Sequence, residues 1–214
     1  MTYRNRILSL VMAATALCLI GCVGGKSPSA RFFQLQPVVD LASTAETPLD
    51  AAYAVILRPV TLESYLNRSQ MVNRVSPYEI NYRELARWAE PLDGNITRVL
   101  AENLRRLLQT DCVAIFPHAA PELRSMTINV DISRFEGKPG DQAVLNAAWI
   151  VRMETNGKVV NQYKKFSAPV AGTRIEDAAA AQAGLLADLS KLIAEDVLSL
   201  ATATPEPAAE SAAP

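Results

Sequence analysis

The sequence is poor in the residues from which most active and metal centres are built. It holds 3 cysteines and 1 histidine in 214 residues, too few customary ligands for a zinc site. The histidine, His118, follows Pro117 in a loop, and no Gly-x-Ser-x-Gly stretch supplies a nucleophile on a strand-to-helix turn for it to activate. The acidic pairs Glu176-Asp177 and Glu195-Asp196 fall on a helical pattern. Neighbours there point about 100° apart, a poor geometry for sharing a proton. The first pair suits a helix N-terminus, and both otherwise read as solvated faces. Excess charge is missing too: a net charge of −1 leaves no basic footprint for nucleic acid and no polybasic membrane patch. No internal repeat is present. The longest apolar run, residues 7–20, falls short of the roughly 20 residues needed to span a bilayer.

That short run is instead informative about processing. Arg4 and Arg6 precede it with no acid between residues 1 and 6, and it closes on Leu19-Ile20-Gly21-Cys22. A basic n-region, an apolar h-region and a small residue before the cut describe a secretory signal. The cysteine marks a lipobox, with Gly21 at −1 and Leu19 at −3. Cys18 is the poorer candidate because bulky Leu17 precedes it. Residues 1–21 are thus expected to be a lipoprotein signal peptide and Cys22 the lipidated N-terminus. Stable anchoring needs more than one acyl chain, which bacterial lipoproteins carry. Val23, rather than Asp, follows the cysteine and matches sorting to the outer membrane. Losing Arg4 and Arg6 from a chain of net charge −1 leaves the mature protein at −3.

Cys18 leaves with the signal and Cys22 becomes a thioether, so Cys112 remains alone and no intramolecular disulfide can form. Cys112 is expected to be a small buried apolar side chain. Residues 22–31 read as the lipidated end and a flexible tether, reaching at most about 30 Å at ~3.3 Å per residue. Gly25-Lys26-Ser27 is not a P-loop, because position 20, where the first glycine belongs, is Ile20. Residues 202–214 are rich in Pro and Ala and read as a disordered tail. Residues 32–201 remain, the size of one domain.

Within that domain, the pattern predicts short strands over 32–36 and 53–57, and a helical turn over 61–67. A hairpin over 70–75 and 78–83 follows. Pro91 opens an amphipathic helix to about Gln109, with Leu92, Ile96, Val99, Leu100, Asn103, Leu104 and Leu107 on one face. The sequon Asn95-Ile96-Thr97 lies on this helix and is discounted. A short strand spans 113–116. Met126, Ile128, Val130 and Ile132 alternate with polar residues, and Phe135 falls out of phase, which predicts a bulge near Ser133-Arg134. A strand over 144–154 follows, then a two-residue Asn156-Gly157 hairpin into 159–167. Thr173 and Glu176 have capping-box spacing before a last helix, 174–200, whose stripe runs through Ile175, Ala179, Gln182, Leu186, Leu189, Ile193, Val197 and Leu200. The expected fold is mixed α/β, a single domain with one mixed, largely antiparallel sheet and two long amphipathic helices.

Several segments carry a family resemblance. Pro59-Val60, Leu62, Tyr65-Leu66, Arg68 and Gln70-Met71-Val72 keep fixed spacing, and Trp88-Ala89-Glu90-Pro91-Leu92 leads into the first long helix. Phe116-Pro117 and Arg134-Phe135-Glu136-Gly137 follow in order. Together they resemble the PqiC-like ABC-type transport auxiliary lipoproteins across the mature domain. Asn67, where the family often has an acid, and the Pro/Ala tail depart from the pattern. The resemblance implies a non-enzymatic docking component, without cofactor, of an MCE-type lipid transport system, on the periplasmic face of the outer membrane. It implies an MCE-domain partner and leaves open a homo-oligomeric ring. Of the motif residues, Pro59, Leu62, Tyr65, Leu66, Arg68, Gln70, Trp88, Glu90, Pro91, Phe116, Pro117, Arg134, Phe135 and Gly137 are read as structural. The alternatives are a lipid-anchored hydrolase using a serine and His118, or a stand-alone lipid carrier.

Overall fold

The computed structural model describes residue 3 and residues 28–38, 48–118 and 124–203. The signal segment, Cys22 and the tail from residue 204 lie outside the described residues. The chain runs β1 (Arg31–Phe33), β2 (Tyr53–Leu57), β3 (Thr61–Leu62), β4 (Gln70–Ser76), β5 (Glu79–Trp88), α1 (Leu92–Leu108), β6 (Val113–Ile115), β7 (Arg124–Gly137), β8 (Gln142–Met153), β9 (Val159–Pro169) and α2 (Ile175–Thr202). The mixed α/β class and both long helices stand as expected.

The strands divide into two sheets where one was expected. The larger has the order β6-β2-β7-β8-β9, with β3 paired to β7, and the smaller the order β1-β5-β4. β7, β8 and β9 form the expected antiparallel meander, while β2 runs parallel to both β6 and β7. The bulge also falls where the phase slip places it: Ile132 faces Ala147, but Arg134 faces Asn146. Ser133 is the extra residue, and it returns Phe135 to the core.

Three local expectations are corrected. Residues 61 and 62 form β3 instead of starting a helical turn, because they pair parallel to Asp131 and Ile132; the turn begins after them, with Leu66 N–H donating to the Glu63 carbonyl at 2.8 Å and Asn67 N–H to the Ser64 carbonyl at 3.3 Å. The β8–β9 connection is the five residues 154–158 rather than a two-residue turn, closed by Met153 N–H on the Lys158 carbonyl at 2.9 Å. Asn156 Oδ1 accepts from Lys158 N–H, and Gly157 supplies the positive φ of 70°. The helix cap shifts one residue, with Arg174 N–H donating to Asp177 Oδ2 at 3.0 Å. Glu176, the expected partner, is drawn away to the Arg31 guanidinium.

Both helices cover one face of the larger sheet. The predicted apolar face of α1 is buried throughout, and so are Gln182, Leu186, Leu189, Ile193, Val197 and Leu200 of α2. Each fully covered aliphatic side chain contributes about 2 kcal/mol. The last helix therefore packs on its own sheet. Asp196 departs from the solvated reading: its Oδ2 accepts the indole N–H of Trp149 at 2.8 Å. Asn103 and Ser190 join the helices by a buried 3.2 Å bond.

Candidate functional site

The two longest motif segments meet around the small sheet. Trp88 N–H donates to the Ser69 carbonyl at 2.6 Å and Ala89 N–H to the Phe33 carbonyl at 2.8 Å. These bonds close a surface groove of about 330 Å³ whose walls include Arg68, Trp88, Glu90 and Pro91. The Arg68 guanidinium lies 5.0 Å from the centre of the Tyr82 ring, within cation–π range. Glu90 accepts from Gln34 at 2.8 Å and Arg98 at 2.5 Å; the Gln34 bond first, then Arg98, holds its carboxyl below the ordinary range.

A second knot joins the small sheet to the large one. Glu136 is 3 % exposed and sits next to Phe135, whose ring lies 6.4 Å from that of Trp88. Its Oε1 accepts from Tyr65 Oη at 2.9 Å and Arg74 Nη2 at 2.7 Å. Its Oε2 accepts from Arg74 Nε at 3.1 Å and from Arg134 Nε and Nη2 at 3.1 and 2.7 Å. Burial pushes the Glu136 carboxyl up, but the bonds from Arg74, Arg134 and Tyr65 outweigh it and the net direction is down. Tyr65 is pushed far above the ordinary phenol value, first by burial and then by the Glu136 charge. Gly137 lets α2 approach closely next door: a Cβ there would stand 3.1 Å from the Gln182 side chain and 3.2 Å from the Ala178 Cβ, so those neighbours would have to give by a few tenths of an ångström. Tyr65, Trp88, Arg134, Phe135 and Gly137 are thus brought together as a packing unit.

The remaining motif residues are dispersed. Leu66 is buried, Leu62 and Gln70 are half-buried, and Pro59 is exposed. Phe116 and Pro117 are exposed, with the Arg58 guanidinium 5.2 Å from the centre of the Phe116 ring. His118 is also exposed, its Nδ1 3.2 Å from the Ile115 carbonyl. Cys112 is half-buried, short of the full burial expected, because it sits in the turn where its N–H reaches Thr110 Oγ1 at 3.2 Å. Among the described residues no group of His, Cys, Asp and Glu could hold a metal ion.

Sequence reasoning missed three contributors. Glu136 carries no role in the motif reading, although an acid flanked by Phe135 and Gly137 on a core strand demands a partner. Arg74 gave no signal beyond its charge. Asn95 was seen as a sequon, yet it is fully buried and clamps the backbone of Leu35. Its Oδ1 accepts from Leu35 N–H at 2.8 Å, and its Nδ2 donates to the Leu35 carbonyl at 3.1 Å.

The arrangement is that of a two-sheet body knitted by structural motifs, and comparison with known sequences places it. The sequence model for the ABC-type transport auxiliary lipoprotein component matches residues 33–194. The chain belongs to this family of transport auxiliary lipoproteins. Among solved structures it is similar to an uncharacterized protein, with TM-score 0.67 and 19 % identity over 79 % of this chain and 99 % of that one. It is similar also to a protein from Xanthomonas campestris, with TM-score 0.65 and 14 % identity over 79 % and 95 % of the two chains. At these identities the likeness is one of fold. No curated protein matches the sequence.

Proposed function

We propose that the protein is a non-enzymatic docking component of an MCE-type ABC lipid transport system. Acyl chains on Cys22 hold it at the periplasmic face of the outer membrane. The observation that carries this reading is that matched motif residues, half-buried Tyr65 and buried Trp88 and Phe135 above all, join the two sheets. Nothing among them resembles a nucleophile with its base. Family membership supplies the transport role; the MCE partner, the outer membrane and the absence of catalysis are inferred from the sequence motifs. A ring of identical copies would provide the collar that a periplasmic lipid conduit needs.

The test is crosslinking in intact cells followed by capture of the full-length protein from solubilised membranes. Recovery of an MCE-domain protein, lost when Cys22→Ala releases the chain from the membrane, is the expected result. Capture without any MCE-domain protein would overturn the reading. Light scattering of the captured protein gives the number of copies.

A further inference from the structure

The Glu136 knot holds more positive charge than its carboxylate can absorb. Five donor contacts from Tyr65, Arg74 and Arg134 fall on this one group, which has about four lone-pair sites. Of five N–H donors on each guanidinium, Arg74 uses three, the third on the Pro77 carbonyl at 3.3 Å, and Arg134 uses two. Both side chains remain about one-third exposed, at 27 % and 34 %. They open with Lys138 onto a cavity of about 50 Å³, also lined by Glu136, Gly137, Asp141, Gln142 and Val144. A single water needs roughly 10–15 Å³ of such space, so the cavity has room for one small oxyanion. Three cations against the carboxylates of Glu136 and Asp141 leave the cavity with one positive charge. Asp141 opposes an anion there, but it is at the rim, paired with Lys138 at 2.9 Å.

We propose that Arg74, Arg134 and Lys138 form a binding subsite for a phosphate group, carried by a phospholipid headgroup or present as free phosphate. Guanidinium forks match phosphate oxygens geometrically. The surroundings favour the headgroup. Arg74 lies beside the β4–β5 hairpin tip, where Val75 is 55 % and Tyr78 99 % exposed, and aromatic side chains at such tips suit a membrane–water interface. β1 runs parallel to β5, with Arg31 level with Ala86, so the chain comes into β1 from the hairpin-tip side. The tip lies ~26 Å from Ala86 at about 3.3 Å per residue. A lipidated Cys22, nine residues before Arg31, reaches ~30 Å. The anchor can therefore stand at the level of the tip.

The assay is isothermal titration calorimetry of the full chain in neutral detergent with three probes: inorganic phosphate, glycerophosphoglycerol (a deacylated headgroup) and glycerol. Both phosphate-bearing probes are expected to bind and glycerol to remain silent. Arg134→Gln should weaken binding at least tenfold. Lys138→Gln, an exposed position that leaves the Glu136 knot intact, should weaken it at least threefold. Glycerophosphoglycerol binding tenfold tighter than phosphate assigns the site to headgroups, whereas equal or weaker binding assigns it to free phosphate. No heat from either phosphate probe, or affinity unchanged in Lys138→Gln and Arg134→Gln, overturns the proposal. Isolated protein suffices, so this result stands or falls apart from capture of a transport partner.

Discussion

In β8 every second residue from Ala143 to Met153 is buried, whereas burial in β5 is confined to Ala86 and Trp88 at its C-terminal end. β8 lies under the helices; β5 has no helix over it along most of its length and carries exposed Glu79, Asn81, Glu84 and Leu85. The large sheet is thus held by area, through many interchangeable aliphatic contacts. The small sheet buries fewer aliphatics, Met71, Val72 and Ala86, and leans more on points, chiefly Trp88 on Phe135 and the Arg74 and Tyr65 bonds to Glu136. Area tolerates single losses; points do not.

The sharpest way to break this contrast is Trp88→Ala. Removing a buried indole is expected to cost about 4 kcal/mol, and hydrogen exchange should show β4 and β5 losing protection while β8 keeps it. Uniform loss across both sheets would mean that the two fold as one unit. Next is Glu136→Ala, expected to cost about 3 kcal/mol in chemical denaturation because Arg74 and Arg134 are left without their carboxylate. Acid offers the same lesion without mutation. The Glu136 carboxyl is held below its ordinary value in the folded chain, so its contribution is complete above the unfolded value, near pH 4.3, and is lost as pH falls through the folded one. Denaturation curves of the wild type should therefore fall more steeply below pH 4.3 than those of Glu136→Gln, and equal slopes would remove Glu136 from the account. Tyr65→Phe deletes one bond to the same carboxylate and should cost about 1 kcal/mol. Smallest is Lys164→Ala on exposed β9, expected within ~0.5 kcal/mol of wild type.

The division between area and points also explains what could be read from the sequence. Burial by area leaves a period: Met126 to Ile132 alternates, the stripe on α1 recurs, and the slip at Phe135 placed the bulge at Ser133-Arg134, where it is found. Contacts by points leave none. Glu136 draws partners from positions 65, 74 and 134, and β1 pairs with β5 across more than fifty residues, so the second sheet was invisible and its strands were assigned to the first. Asn95 shows the same limit at one side chain. Its sequon was legible, but its bonds to Leu35, 60 residues away, were not. The capping box expected at Thr173 and Glu176 lies one residue on, at Arg174 and Asp177, and Glu176 pairs instead with distant Arg31. Motif resemblance found Tyr65, Trp88 and Arg134 without saying that one carboxylate joins two of them.

The Asn95 clamp has a mechanical consequence. Under the anchoring proposed at Cys22, every tug on the domain falls first on β1, whose three residues are paired to β5. So short a strand would unzip readily if its rungs were broken one after another. A pull along the strand axis instead strains those rungs together. Just beyond them, Leu35 is fastened on both its N–H and its carbonyl to a side chain of α1. Load applied at the anchor thus passes through β5 and, by way of Leu35, into the helix and the core beneath it.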